Sequence, residues 1–322
     1  MTPLLSLRDL RVIFTTEEGD VSAVNGVDLD LNPGENIAIV GESGAGKSQI
    51  FYALMGLLPR NGKATGSVYF AGEDILNLPA RRLNAFRGSR IAMVFQDPMT
   101  SLNPYLTVGR QLTEVLQVHQ SVKKAAARSL AIGTLEKVSM PEAEKCFSRY
   151  PHELSGGMRQ RVMIAMALLC GADILIADEP TTALDVTVQT EILSLLSGLK
   201  DVSIILVTHD LPVVAGLCDR VAVMYAGRIV EQGSTEDIFY HARHPYTRGL
   251  LAATPRFGDE STAILPAIPG QVPNPGALPL GCPFHPRCSD VMEKCRQDYP
   301  QEITEKTGHA FACHLGADVA AG

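Results

Sequence analysis

The octapeptide Gly41-Glu42-Ser43-Gly44-Ala45-Gly46-Lys47-Ser48 fits the pattern G-x-x-x-x-G-K-[ST]. Glycines at these positions let the backbone wrap until successive N–H groups point at one phosphate. A helix starting at the loop adds its partial positive charge. Lys47 then reaches the β- and γ-phosphates of a nucleotide, and the Ser48 hydroxyl ligates Mg²⁺. A second element follows about 130 residues later. The apolar run Ile174-Leu-Ile-Ala-Asp178-Glu179 delivers two carboxylates at its end, where the ligand sites of α/β sheets form. Asp178 suits a water-mediated Mg²⁺ ligand, and Glu179 a general base that activates water. A third element, Leu154-Ser155-Gly156-Gly157-Met158-Arg-Gln-Arg161, is a bare-backbone turn before a helical stretch, and so another anion site. The phosphates cradled by residues 41–48 are already held, so Ser155, Gly156 and Gly157 must face a different nucleotide.

The elements that position these residues can be read from hydrophobic patterning. Short continuous apolar runs at residues 36–40, 91–95, 174–177, 204–208 and 221–225 suit strands buried on both faces of a sheet. Segments of helical character lie between them, as at 49–58, 157–169 and 186–200. The pattern predicts an α/β fold with a mainly parallel core sheet. Residues 9–15 and 22–31 predict an N-terminal antiparallel β subdomain, and residues 221–231 a hairpin turning at Ala226-Gly227. From about Asp97 to Glu153 the chain is polar, alanine-rich and helical, as at 111–119 and 122–138. This predicts an inserted helical subdomain spanning about residues 97–165.

The order of the motifs resembles the ABC ATPase family. In that family the Ser155-Gly156-Gly157 signature closes on ATP held by a partner subunit, so the resemblance implies a head-to-tail dimer with two ATP molecules in its interface. Gln96 matches the Q-loop glutamine that joins the Mg²⁺ shell, Ala183-Leu184-Asp185 the D-loop, and His209 the switch histidine that senses the γ-phosphate. Two departures stand out. Met158 replaces the glutamine of the commonest signature, which puts the helix-capping contact there in doubt. For the adenine-stacking aromatic the sequence offers only Phe14, which equally suits a core position.

Across most of residues 1–315 the chain is similar to the D-type ATPase subunits of oligopeptide and dipeptide importers. The stretches that carry this are Phe95-Gln-Asp-Pro-Met-Thr-Ser-Leu-Asn-Pro104, Tyr150-Pro-His-Glu-Leu-Ser155, Asp178-Glu-Pro-Thr-Thr-Ala-Leu-Asp185, Met224-Tyr-Ala-Gly227 and His244-Pro-Tyr-Thr247. The resemblance implies an ATP-hydrolysing subunit that powers peptide import, oligopeptides ahead of dipeptides. It implies a heterodimer with a related F-type ATPase, docked beneath two transmembrane permeases that an extracytoplasmic substrate-binding protein feeds. The surface meeting the permeases would lie near residues 96–116. ABC ATPases of DNA repair or the ribosome form the competing class. They usually carry coiled-coil or zinc-module insertions or two fused halves, none of which this sequence contains.

Bulk properties narrow the setting. The 322 residues carry a net charge of −7, against the basic face of a nucleic-acid binder. No apolar run approaches the roughly 20 residues that span a bilayer, and the start lacks the layout of a secretory signal. The expected location is the cytoplasmic face of the bacterial inner membrane, peripheral through the permeases. Composition shifts near Thr254, which divides an ATPase domain (1–254) from an extension (255–322). Nine of the 20 prolines fall between Pro255 and Pro300, which excludes long helices and central strands. Four of the seven cysteines crowd there as Cys282-x5-Cys288-x6-Cys295-x17-Cys313. These spacings are wider than the usual zinc pairs. An iron–sulfur cluster, zinc, and unligated or disulfide-bonded cysteines all remain open. The family resemblance implies a four-iron four-sulfur cluster (4Fe-4S), with a structural role. His285, His309 and His314 lie close enough in sequence to substitute as ligands, or else are solvated loop residues.

Overall fold

The computed structural model describes residues 2–97, 101–120, 122–182, 184–254 and 267–318. It divides into two compact units, one of Met1–Asn77 with Thr208–Gly322, the other of Leu78–Val207. Residues 267–318 therefore belong to the same unit as the N-terminal strands.

In chain order the first unit opens with β1 (Leu5–Thr16), β2 (Gly19–Leu31), β3 (Asn36–Val40), β4 (Gly62–Phe70) and β5 (Glu73–Asp74). Strands β2, β1, β4 and β5 pair antiparallel in that order. In β1 the buried apolar residues are Leu5 and Leu7, then Leu10 and Val12. The alternation changes parity because Leu7 pairs with Leu29 but Leu10 with Val27, three residues against two. Such a bulge moves the side chains that follow to the other face. Asp9 takes the left-handed conformation (φ 44°) at that point.

Strands β6 (Ile91–Val94), β7 (Ile174–Asp178) and β8 (Ser203–Thr208) form the parallel ladder of the second unit. Both β7 and β8 are buried along their whole length, as the unbroken apolar runs require. The same unit holds helices Val108–Gln120, Lys124–Lys137, Ala143–Ser148, Gly156–Leu169 and Val186–Ser197. Ala127, Ala131 and Leu135 recur at four-residue spacing and are fully buried, so one face of Lys124–Lys137 is closed by packing. Arg161 is buried too. It donates to the Val138 carbonyl at 2.6 Å and the Ser139 carbonyl at 3.2 Å, and pairs with Glu191.

The first unit is completed by β9 (Arg220–Tyr225), β10 (Arg228–Ser234), β11 (Ile303–Thr304) and β12 (Ala310–Phe311). Strand β3 runs parallel to β9, and β10, β12 and β11 follow antiparallel. The β9–β10 hairpin turns at Ala226 (φ 47°) and Gly227 (φ 79°), the positive pair that suits a two-residue hairpin.

Proline limits residues 267–318 to short pieces, and two other features tie them down. Tyr225, Tyr246 and Phe284 pack with ring centroids 4.6 to 5.3 Å apart. Glu231 on β10 is fully buried and accepts from the backbone N–H groups of Arg243 (2.6 Å) and His244 (3.0 Å), with the His309 ring 2.8 Å away. Burial alone would raise the Glu231 carboxyl, but the bonds from His309 and these amides hold it below the usual range.

His244 is 1% exposed, and its Nδ1 accepts the Tyr246 N–H at 3.1 Å, capping helix Pro245–Ala252. Burial lowers its pKa from 6.5 to about 4. The unfolded chain therefore takes up a proton that the folded chain refuses, and stability falls as pH drops from about 6.5 to about 4. His244→Asn keeps a cap acceptor without titrating. Denaturant titrations across this window should show a shallower pH slope for His244→Asn than for the parent chain.

Candidate functional site

Gly41 directly follows β3, and Gly46 caps helix Lys47–Leu54. Gly44 and Gly46 have φ of 81° and 95°, a region that other residues enter only with strain. A Cβ at Gly44 would meet nothing within 4 Å, whereas at Gly41 and Gly46 it would collide with the carbonyl oxygens of Met224 and Ala23. The loop thus leaves an open concavity on one side and is jammed against β9 and β2 on the other. This cradle fits a chain of phosphates. Ser43 and Gly44 are exposed at its rim and Ala45 is buried. The Ala45 carbonyl accepts the Gly227 N–H at 3.0 Å, so the β9–β10 turn holds the loop directly. Lys47 is buried and donates from Nζ to the carbonyls of Gly41 (2.7 Å) and Glu42 (3.0 Å). Ser48 occupies the first turn of the helix.

Glu42 is held at two points. Its backbone N–H donates to the Tyr246 hydroxyl at 2.9 Å, and its carboxylate receives Arg287 at 2.6 and 3.0 Å. Sequence reading assigned neither Tyr246 nor Arg287 a role at this loop, because both lie more than 200 residues away along the chain. His209, in the same unit, follows β8 and is exposed.

In the second unit β7 ends on fully buried Asp178, followed by Glu179 at φ 46°. A non-glycine residue here costs about 1 kcal/mol or more, and three contacts hold it. The Glu179 N–H donates to the Val207 carbonyl at 2.8 Å. Its Oε2 accepts from Gln96 Nε2 at 3.0 Å and Thr182 Oγ1 at 2.9 Å. The structure therefore brings together two residues that the sequence marked, Gln96 and Glu179. It adds Thr182, whose signal was available as a hydroxyl three residues beyond the carboxylate.

Ser155 caps helix Gly156–Leu169, its hydroxyl accepting the Met158 N–H at 3.3 Å. The cap uses the backbone of residue 158, so methionine there leaves it intact. A Cβ at Gly157 would lie 2.6 Å from Val188 Cγ1, which is why a glycine is needed. Asp185 caps helix Val186–Ser197 through the Val188 N–H. Ala183 of the D-loop stretch, and residues 98–100 after Gln96, lie outside the described residues. Phe14 is half-buried, and its ring occupies the space a Cβ on Gly62 would need, 2.6 Å away.

Cys282, Cys288, Cys295 and Cys313 line one small cavity with His285, His314 and Phe284. All four cysteines are free thiols, and burial pushes Cys282 up to about 11. His309 turns instead to Glu231.

An ABC transporter family model matches residues 24–182, and a model for the oligopeptide/dipeptide transporter C-terminal region matches 230–295. The oligopeptide transport ATP-binding protein OppD of Salmonella typhimurium is 57% identical over 313 residues, covering 96% of this chain and 93% of the relative. The dipeptide transport ATP-binding protein DppD of Bacillus subtilis is 50% identical, covering 98% and 95%. The chain belongs to the oligopeptide/dipeptide-transport family of ABC ATP-binding proteins. Its fold matches a post-hydrolysis dimer of the ATP-binding cassette MJ0796 bound to ADP and Pi, with TM-score 0.65 and 28% identity over 72% of this chain and 98% of that one. It is therefore an ABC ATPase, for which ATP and Mg²⁺ are the expected cofactors, built on the P-loop α/β cassette read from the sequence.

Membership corrects two expectations. The four-iron four-sulfur cluster lacks support in this ATPase family, and among the described residues no group of three His, Cys, Asp or Glu side chains is set to hold a metal. The heterodimer with an F-type ATPase is likewise overturned. The matched dimers are of one cassette, MJ0796. Among the described residues no helix is long and apolar enough to cross a membrane.

Gly46→Ala tests the cradle. Strain at φ 95° and collision with Ala23 should cost about 2 kcal/mol or more in folding stability. Calorimetric titration should find ATP binding lost along with it.

Proposed function

We propose that this chain hydrolyses ATP to power peptide import, with oligopeptides favoured over dipeptides. Relatives named for oligopeptide transport reach 57% identity where the dipeptide relative reaches 50%, which supports that order. In this reading the subunit sits on the cytoplasmic face of a bacterial inner membrane, beneath two permeases supplied by a substrate-binding protein. It acts as a head-to-tail dimer of cassettes. Residues 1–254 form the ATPase domain, with a helical subdomain at about 97–165, and 255–322 the extension.

Residues Gly41, Glu42, Ser43, Gly44, Ala45, Gly46, Lys47 and Ser48 hold the phosphates, mainly through backbone N–H groups and the Lys47 ammonium. Bound Mg²⁺ offsets phosphate charge, with Ser48, Gln96 and Asp178 as its candidate holders. Glu179 takes a proton from the attacking water. Gln96 and Thr182 both donate to its Oε2, which fixes the plane of the carboxylate. His209 senses the γ-phosphate, and Ser155, Gly156 and Gly157 close on ATP held by the partner cassette. The observation that carries the hydrolytic reading is Glu179, strained at the end of a buried strand and aimed by two neighbours.

Glu179→Gln should leave ATP affinity within about threefold while slowing hydrolysis by roughly 10²–10⁴-fold. In proteoliposomes containing the permeases, it should also stop peptide uptake. Unchanged hydrolysis would remove Glu179 as the base.

A further inference from the structure

Arg287 lies between Cys282 and Cys288, in a segment that no nucleotide motif covers, and its side chain is 4% exposed. A guanidinium has five N–H donors, and here each has an acceptor. Nε donates to Pro269 O at 3.0 Å. The first amino group reaches Glu42 Oε2 at 2.6 Å and the Tyr225 hydroxyl at 3.4 Å. The second reaches Glu42 Oε1 at 3.0 Å and Ile268 O at 3.4 Å. The fork on Glu42 is bidentate, the geometry that fixes a carboxylate in both position and plane. From the other side, the Tyr246 hydroxyl fixes the backbone N–H of the same residue. Tyr246 and Tyr225 are locked in turn by packing on Phe284.

Glu42 is the second residue of the phosphate loop. Its carboxylate puts a negative charge on a loop that receives a polyanion, and like charges repel more strongly outside bulk water. Arg287 answers this charge and orients the loop backbone in one contact. We infer that Arg287 is a positioning residue for nucleotide binding: it neutralises and clamps Glu42, and so couples the segment around Phe284–Cys288 to occupancy of the phosphate loop. This rests on the reading of residues 41–48 as the ATP site.

Electrostatics separates this role from simple support of the fold. Losing Arg287 leaves the Glu42 charge on the phosphate loop unanswered, whereas losing the Glu42 charge as well removes that repulsion. ATP dissociation constants of the full-length chain test the difference, with Lys47→Ala as control. If Lys47→Ala binds ATP normally, the loop reading itself fails, whatever Arg287 does. With that control inactive, Arg287→Met should weaken ATP binding by about tenfold or more. Adding Glu42→Gln to Arg287→Met should recover part of the lost affinity, because the charge that Arg287 answers is then gone. An Arg287→Met chain that melts normally and binds ATP as the parent does would overturn the inference, as would a double variant no better than Arg287→Met. Coupling is reciprocal, which gives a readout even if Arg287→Met fails to fold. In the parent chain, ATP should slow hydrogen exchange at the Phe284, Arg287 and Cys288 amides, and unchanged exchange there would sink the coupling.

Discussion

Gly46 sits at φ 95° with its α-carbon against the Ala23 carbonyl, and Gly41 is pressed in the same way on the carbonyl of Met224. The shape of the phosphate loop follows from this lack of room. Two strands distant in sequence, β2 and β9, have to arrive together before the loop has only one conformation left. The long bulged pairing of β1 with β2, the parallel pairing of β3 with β9 and the Ala226–Gly227 turn all meet that requirement. A backbone fixed beforehand loses little entropy when it turns its N–H groups toward phosphate. Preorganisation is thus built from packing on the side of the loop that a nucleotide never touches.

The polar groups that cannot reach water obey the same logic. Glu231 is fully buried and would be costly there without partners, yet backbone amides and His309 surround its oxygens. It gathers β10, the turn before helix Pro245–Ala252 and the last strands around one charge. In the other unit Glu179 is held in a strained conformation by Val207, Gln96 and Thr182. Strain of this kind persists only where the surroundings over-determine it, and it points the carboxylate in one direction.

Local chemistry was legible in the sequence wherever a short pattern carries its own physics. The phosphate loop, the Asp178-Glu179 strand end and the Ser155-Gly156-Gly157 turn at a helix start were all readable, because neighbours along the chain suffice to specify them. The continuous apolar runs likewise marked β3, β6, β7, β8 and β9. Strand β4 went unread. Residues 62–70 alternate weakly and carry Gly62 and Gly66, so their pairing with β1 has no local signature. Helix ends also moved by a few residues, as where 186–200 became Val186–Ser197, since capping and packing rather than periodicity set the boundaries.

The cysteine spacings named four residues, but spacing alone could not decide their chemistry. By itself, the sequence determined the family and its nucleotide chemistry and named candidate residues for it, since these depend on residue type at short range. Only the tertiary structure decided that Glu42 faces Arg287 rather than solvent, that Tyr246 holds the loop backbone, and that Thr182 joins Gln96 on Glu179. The first two contacts bridge more than 200 residues. Contacts at such separations exist only once the sheets have closed, so no window of sequence contains them.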